Sequence, residues 1–452
     1  MKLNEFEEIE REMQLDKSFF FGVTWWDLWR YSLYSMLSQP SLRHKNKEHI
    51  SFRVLFQGIT RLRHFFNKDK SIFILRHPRL KREGHLYVDV YTDIVGRNLA
   101  ELGYRPIYFE KKIVPPRRLD SGAIYPLTLI FSISSFLASI VPILFLSKLA
   151  PKVVDDALCR LRVSDQKHLK AVIFRSVLSF RVRVFFYRLL FKLNKPSALF
   201  LVVSCGNEDI VCAAKKEGVV SIELQHGSPA RGKLNYDYSN SIDKSYFPEV
   251  FLSFGPFFSD RIHLPSPCKR VVNFGYPYLQ HKRRNISEGR NKKYDLLVLS
   301  QPDCDCYIVD FLRGLIKGLP DNFSILVQLH PQYYSNHNPY SELECVNFKV
   351  ADSLESSLYE AFSLSRSAIT VYSTAIYEAR AFGLKTFVLL EERNLLRNFL
   401  CLDEVVAVDP GDAVVDSVKR IVEGIAACDG GVLNVFSDYS LKNIEELMRL
   451  ID

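Results

Sequence analysis

Short apolar runs alternate along this chain with segments whose apolar residues recur at helical spacing. "SIFILRHPR" (71–79) is a continuous apolar run that breaks into a polar loop, the pattern of a strand buried on both faces. "YVDVYTDIVGRNLAELG" (87–103) then has helical periodicity and stops on Gly103, and "RPIYFE" (105–110) is the next strand. This is a βαβ unit, the building block of a parallel sheet. The alternation resumes with a strand at "ALFLVVSCG" (198–206), a helix over 207–218 and a strand at "VVSIELQHG" (219–227). Two more short strands follow at 248–255 and 270–277.

"YLQHKRRNISEGRNKK" (278–293) is polar and nearly free of large apolar residues, and reads as an interdomain linker. After it the strand–helix alternation restarts. Strands are expected at 294–301, 323–331, 367–374 and 385–390, and helices at 305–318, 353–365 and 375–383. The pattern predicts an α/β protein with two such domains in tandem, as 452 residues would favour. The expected division is an N-terminal helical and aromatic segment (1–50), a first domain (51–277), the linker (278–293), and a second domain (294–452) ending in an amphipathic helix (437–451) that could pack back on either domain.

Residues 121–147 have no charged side chain, a length that could cross a bilayer. The segment contains six serines and Pro142 and lies between soluble elements. It is read as two buried or interfacial helices broken near Pro142, with contact at an inner-membrane surface left open. A net charge of +9, without a long basic block, suits an anionic partner. Zinc-finger, RNP and basic-zipper patterns are missing, so nucleic acid is not an expected partner. Nine scattered cysteines with no CxxC pair point to a reducing compartment. The charged start "MKLNEFEEIEREMQLDKS" lacks the apolar core of a secretory signal, so a cytoplasmic location is expected.

Candidate chemistry gathers where strands end. His77, His85, Asp89 and Asp93 lie at or just after the carboxyl end of the first strand, the edge at which open α/β sheets bind ligands. His226 sits at such an edge too, in the corner "QHG" (225–227), either as a group aimed into a cleft or as a structural loop His. In the second domain, Ser373 and Thr374 lie between a buried strand and a helix. Their hydroxyls and the helix's first N–H groups suit a phosphate, although the same residues make an ordinary N-cap. Glu378, one turn on, could accept hydrogen bonds from a ribose diol or simply face solvent. His330, held by Pro331, ends the preceding internal strand and could donate to the same phosphate, or serve only as structure.

In combination, "LHP" (329–331), "YST" (372–374) and "STAIYEA" (373–379) resemble the nucleotide-binding domain of GT-B glycosyltransferases. The likeness is to the bacterial surface-polysaccharide group of polysialyltransferases, Kdo transferases and CDP-glycerol glycerophosphotransferases. The "QHG" corner is similar to the His-Gly motif that carries a catalytic His in the CDP-glycerol enzymes. The resemblance implies two Rossmann-like domains facing a cleft, with the donor phosphate at His330, Pro331, Ser373 and Thr374 and the ribose at Glu378. It implies a nucleotide-sugar donor, a cytidine-linked one in this group, and a growing glycan, free or lipid-linked, as acceptor.

His226 would face the cleft as general base toward an acceptor hydroxyl, with Asp89 as the competing candidate. Gly227 would let backbone N–H groups approach the substrate, and Arg231 would bring charge to the leaving group. The motif departs from the group's Ser-Ser form, and no DxD motif stands in a convincing place. Neither a metal nor another cofactor is therefore expected. The alternatives are a CDP-polyol phosphotransferase on the same fold, a sugar-nucleotide epimerase, and a non-catalytic glycan-binding or scaffold protein.

Overall fold

The computed structural model describes residues 1–38, 70–78, 80–83, 86–111, 124–140, 151–227, 234–238, 243–286, 291–302, 304–330, 333, 338–343, 345–351, 357–371, 373–389, 406–408, 414–426 and 435–451. The chain divides into two units, residues 1–277 with 438–452, and residues 278–437.

The first unit is built on seven strands: β1 (Ser71–Leu75), β2 (Arg105–Glu110), β3 (Ile124–Pro126), β4 (Ala198–Val202), β5 (Val220–Leu224), β6 (Val250–Ser253) and β7 (Arg270–Asn273). Every pairing is parallel, and the order is β7-β6-β5-β4-β1-β2-β3. This is the doubly wound Rossmann order, whose switch point falls between β1 and β4. All five residues of β1 are buried. Side chains alternate along it, so Phe73 and Leu75 join the core on one face and Ile72 and Ile74 the core on the other. Burying each such side chain stabilises the fold by about 1.5–3 kcal/mol.

Helices cover both faces. On the Phe73 face lie α1 (Leu3–Glu12) and α2 (Trp25–Ser38). On the opposite face α3 (Asp93–Glu101) crosses β2 so closely that a Cβ at Gly96 would sit 2.0 Å from the Tyr108 Oη. The chain continues through α4 (Thr128–Ser139), α5 (Lys152–Arg160), the 29-residue α6 (Gln166–Asn194) and α7 (Glu208–Lys216). The N-terminal residues, expected to form a segment apart, belong to the first unit's core: Phe6, Trp25 and Leu33 are fully buried there. Arg30 of α2 binds Glu10 at 2.6 Å and donates to the carbonyls of Leu234 and Asp237.

The second unit repeats the plan. Its strands are β8 (Tyr294–Leu299), β9 (Ile325–Gln328), β10 (Phe348–Ala351), β11 (Ser365–Thr370), β12 (Lys385–Leu389) and β13 (Val406–Val408). They pair in parallel in the order β10-β9-β8-β11-β12-β13, with the switch point between β8 and β11. The 278–293 stretch is not an extended linker, because α8 (Pro277–Asn285) occupies its first half. Pro277 at the first helical position suits that start. Then come α9 (Asp305–Leu315), α10 (Leu358–Leu364), α11 (Ala375–Ala381) and α12 (Val414–Ala426). A capping box, Ser357 with Glu360, starts α10, later than the expected residue 353, and residues 352–356 lie outside the described ones.

The last helix, α13 (Leu441–Ile451), corrects the expected domain boundary. Its apolar stripe of Ile444, Leu447 and Met448 packs with Ile72, Val95 and Leu99 in the first unit. Asn98 also donates to the Tyr439 hydroxyl at 2.7 Å. An apolar stripe tells that a helix packs, not against which sheet. Of the uncharged 121–147 segment, only β3 and α4 are described in regular structure, and Pro142 falls outside the described residues. No described helix is long and apolar enough to cross a membrane.

Candidate active site

The carboxyl edge of the first sheet brings together His77, from the end of β1, and His226, from the end of β5. The two strands are separated by β4, so their backbones lie roughly 10 Å apart. The side chains lean across that gap until the rings stack, with centroids 4.7 Å apart and an interplanar angle of 28°. Tyr91 lies beside both imidazoles, at 5.5 and 5.3 Å, and stacks on Tyr276, which stacks in turn on Phe254. An aromatic shelf thus runs from the histidine pair toward the ends of β6 and β7. His226 is half-buried, and His77 is 9 % exposed.

A buried acid stands behind each histidine's backbone, directly at His77 and through the Tyr236 hydroxyl at His226. Asp89 accepts from the His77 N–H (2.7 Å) and the Thr92 hydroxyl (2.6 Å) on one oxygen and from the Tyr91 N–H (3.0 Å) on the other. It is fully buried. Its carboxylate accepts from three donors and has no exposed surface, the setting of a group that holds the His77 loop in place. Asp89 rests on a charged layer beneath. Arg76 bridges Asp93 (2.6 Å) and Glu110 (2.5 Å). Asp93 accepts the Asp89 N–H (2.9 Å). Burial pushes Asp93 up to about 6, against the pull of the Arg76 guanidinium.

Under His226 the acid is Glu223. The His226 N–H donates to the Tyr236 hydroxyl (3.2 Å), which donates to Glu223 (3.0 Å), and the other Glu223 oxygen accepts the Ser204 N–H (3.0 Å). Burial pushes Glu223 up to about 7, opposed by the hydrogen bonds from Ser204 and Tyr236. Gln225 explains the corner's first residue. Fully buried, it accepts from the Phe254 N–H (2.8 Å) and the Ser253 hydroxyl, and donates to the Gly227 carbonyl (2.8 Å). It therefore fastens the end of β5 to the end of β6 and fixes the turn that presents His226. Gly227 has φ +68°, with nothing within 4 Å of a built Cβ, so it is needed for backbone conformation and not for space.

The second unit carries a parallel device. Gln301, just past β8, accepts from the Thr370 hydroxyl (2.7 Å) and the Val371 N–H (3.0 Å) at the end of β11, across the switch point. Asp305 at the start of α9 accepts from Gln301 N–H, Ser300 and the Tyr340 hydroxyl. Ser373 and Thr374 follow β11. The Ser373 hydroxyl accepts the Ala375 N–H at 3.3 Å, and Thr374 makes no side-chain cap to α11. Glu378 accepts from the Tyr359 hydroxyl at 2.5 Å. Tyr359 stacks on Phe382. His330 ends β9, on the other side of β8 from β11, so it shares one sheet edge with Ser373 and Thr374. Pro331, Arg231 and His85 lie outside the described residues.

The sequence places His77 on the right edge but assigns it no role. Its signal was the repeated His-Pro: "LRHP" (75–78) ends β1 as "QLHP" (328–331) ends β9. Tyr91, Tyr236 and Glu223 had no motif to mark them. Among the described residues, no group of three or more His, Cys, Asp or Glu could hold a metal ion.

No family model matches the chain, and no curated protein matches its sequence. Solved structures that resemble it include UDP-GlcNAc 2-epimerase from Methanocaldococcus jannaschii (10 % identity, 84 % of this chain and 98 % of that one, TM-score 0.49). MurG from Acinetobacter baumannii matches at 11 % identity over 84 % of this chain and 99 % of its own, TM-score 0.45. The wall teichoic acid polymerase TagF matches at 16 % identity over 88 % and 96 %, TM-score 0.42. Likeness at this level transfers neither ligand nor activity. The α/β class and the two Rossmann-like domains rest on the two parallel sheets themselves.

Proposed function

We propose that the chain is a glycosyltransferase. It moves a sugar from a nucleotide donor, cytidine-linked, to a growing capsule or lipopolysaccharide-type glycan at the cytoplasmic side of the bacterial inner membrane. The observation that supports this best is the stacked pair His77–His226 on the carboxyl edge of a Rossmann-ordered sheet, the His77 backbone held by buried Asp89 and the His226 backbone by the Tyr236 hydroxyl that rests on buried Glu223. Open α/β sheets bind substrates at that edge. An imidazole there can take the proton of an acceptor hydroxyl as it attacks the donor's anomeric carbon, while the nucleotide leaves on its phosphate. In this reading His226 is the base and His77 fixes the orientation of its ring. His330, Pro331, Ser373 and Thr374 take the donor phosphate, Glu378 with Tyr359 takes the ribose, and Gly227 and Arg231 border the leaving group. The reaction proceeds without a metal ion, with N–H groups and cationic side chains meeting the departing phosphate.

The test is a thermal-shift screen with CMP, CDP, UDP, GDP and their sugars, followed by product analysis. A ligand that binds only the native state raises the melting temperature. Cytidine nucleotides should stabilise the protein, Ser373→Ala should lose that shift, and His226→Ala should keep it but lose transfer. A phosphodiester product would make the protein a polyol phosphotransferase. The absence of stabilisation by any nucleotide would end the enzyme reading.

A further inference from the structure

We propose that one face of α6, with α4 and the N-terminal turn packed against that helix, docks on an anionic lipid bilayer. Three observations point there. The first is apolar exposure. Phe185, Leu189 and Leu193 recur every four residues on α6 and are 65, 46 and 41 % exposed. Four-residue spacing puts them in one stripe. Phe136 on α4 and Ile140 just past its end are 66 and 60 % exposed. α4 is tied to α6 where Ser179 donates to the Ser134 carbonyl. Phe21 is 47 % exposed and packs edge-on against Phe174 of α6. Fifteen large apolar side chains are exposed among the described residues, and eight of them sit on α6 or on these two segments. Single exposed apolar residues need no explanation, but a cluster on one element marks a contact surface.

The second observation is charge. The sequence of α6 holds seven Lys and Arg and no Asp or Glu across 29 residues, and α4 has no charged residue. Neighbouring elements answer part of this: Asp155 pairs with Lys170, Asp209 with Arg183 and Glu217 with Arg188. Lys167 and Lys192 are exposed and form no ion pair among the described residues. Arg181, also exposed, donates to the Phe21 carbonyl, beside the apolar stripe. An apolar stripe bordered by unanswered cations complements a negatively charged headgroup layer. A protein partner would need carboxylates placed to match, whereas a lipid surface supplies diffuse negative charge with acyl chains beneath. The third observation is that no described helix is long and apolar enough to cross a membrane, and the proposed mode is contact along the bilayer surface.

The docking does not depend on the transfer chemistry, and its test reads lipid binding without turnover. The full chain is co-sedimented with vesicles of phosphatidylcholine alone and of phosphatidylcholine with phosphatidylglycerol. It should pellet with the anionic vesicles and be released by salt. Phe185→Ser with Leu189→Ser should lower the bound fraction about tenfold. Arg181→Glu with Lys192→Glu should remove the salt-sensitive part. All four side chains are exposed, so circular dichroism should match the parent. Val346→Ser, at an exposed apolar residue of the second unit, should change nothing. Failure to pellet, equal binding to neutral vesicles, or binding untouched by the serine pair would overturn the proposal. So would a dimer, seen by sedimentation velocity, that the serine pair dissolves, since the face would then be a self-interface.

Discussion

Replacing Asp89 by alanine should unfasten the loop that carries His77. Three donors lose their acceptor: the N–H groups of His77 and Tyr91 and the hydroxyl of Thr92. The two N–H groups belong to a backbone anchored by β1 and α3 and cannot turn away, whereas the hydroxyl can rotate. Each orphaned buried N–H costs about 1–3 kcal/mol, so the loss from the two should be about 2–6 kcal/mol. Asp89→Asn should fall between. Its carbonyl oxygen can stay under His77 and Thr92, while its NH2 faces the Tyr91 N–H, a mismatch of about 1–3 kcal/mol. The assay is urea unfolding followed by tryptophan fluorescence. All three tryptophans, Trp25, Trp26 and Trp29, lie in the first unit, so the signal ignores the second, which can melt separately. An alanine loss under about 1 kcal/mol, or equal losses for Asn and Ala, would refute the reasoning. So would an Asn variant of parental stability whose transfer activity collapses, because Asp89 would then be acting on substrate.

Glu223, raised to about 7 when folded, binds more protons folded than unfolded from about pH 4.5 to 7. Its contribution to stability is therefore full below that window and is lost as pH rises through it, by about 3 kcal/mol across the whole. Glu223→Gln should flatten the fall in the tryptophan-monitored urea midpoint between pH 5 and 8, and an unchanged slope would contradict the assignment. Gly96→Ala should destabilise the first unit by about 1–3 kcal/mol or more, because the new methyl meets the buried Tyr108 hydroxyl. Adding Tyr108→Phe should recover part of the loss, and no recovery would mean that the backbones, not that hydroxyl, set the limit.

How much of this was legible depends on what each feature requires. Strands buried on both faces are continuous apolar runs, so "SIFIL" and "ALFLV" could be read directly, and the strand expected at 105–110 has those same bounds. The three-residue β3 was hidden in an uncharged stretch, and the ribbon Lys81–Glu83 with Leu86–Val88 is too polar to stand out. His226 could be picked out because a glycine follows it at a strand end. That it meets His77 depends on strand order, β1 two places from β5, which periodicity does not encode. The supports are harder still. Tyr236 comes back to Glu223 from thirteen residues on, and Gln301 reaches Val371 across seventy. Such buried bonds are set by three-dimensional closure.

The return of α13 to the first sheet makes the second unit, in effect, an insertion. A ribosome delivers residues 278–437 as one uninterrupted stretch, but the first unit stays incomplete until residues 438–451 have emerged. Synthesis therefore favours the second unit reaching its native state while the first still waits with the Ile72–Val95–Leu99 face uncovered, the surface on which a chaperone would find it. Trimming a few residues from the far end would wound the half of the molecule that was made first.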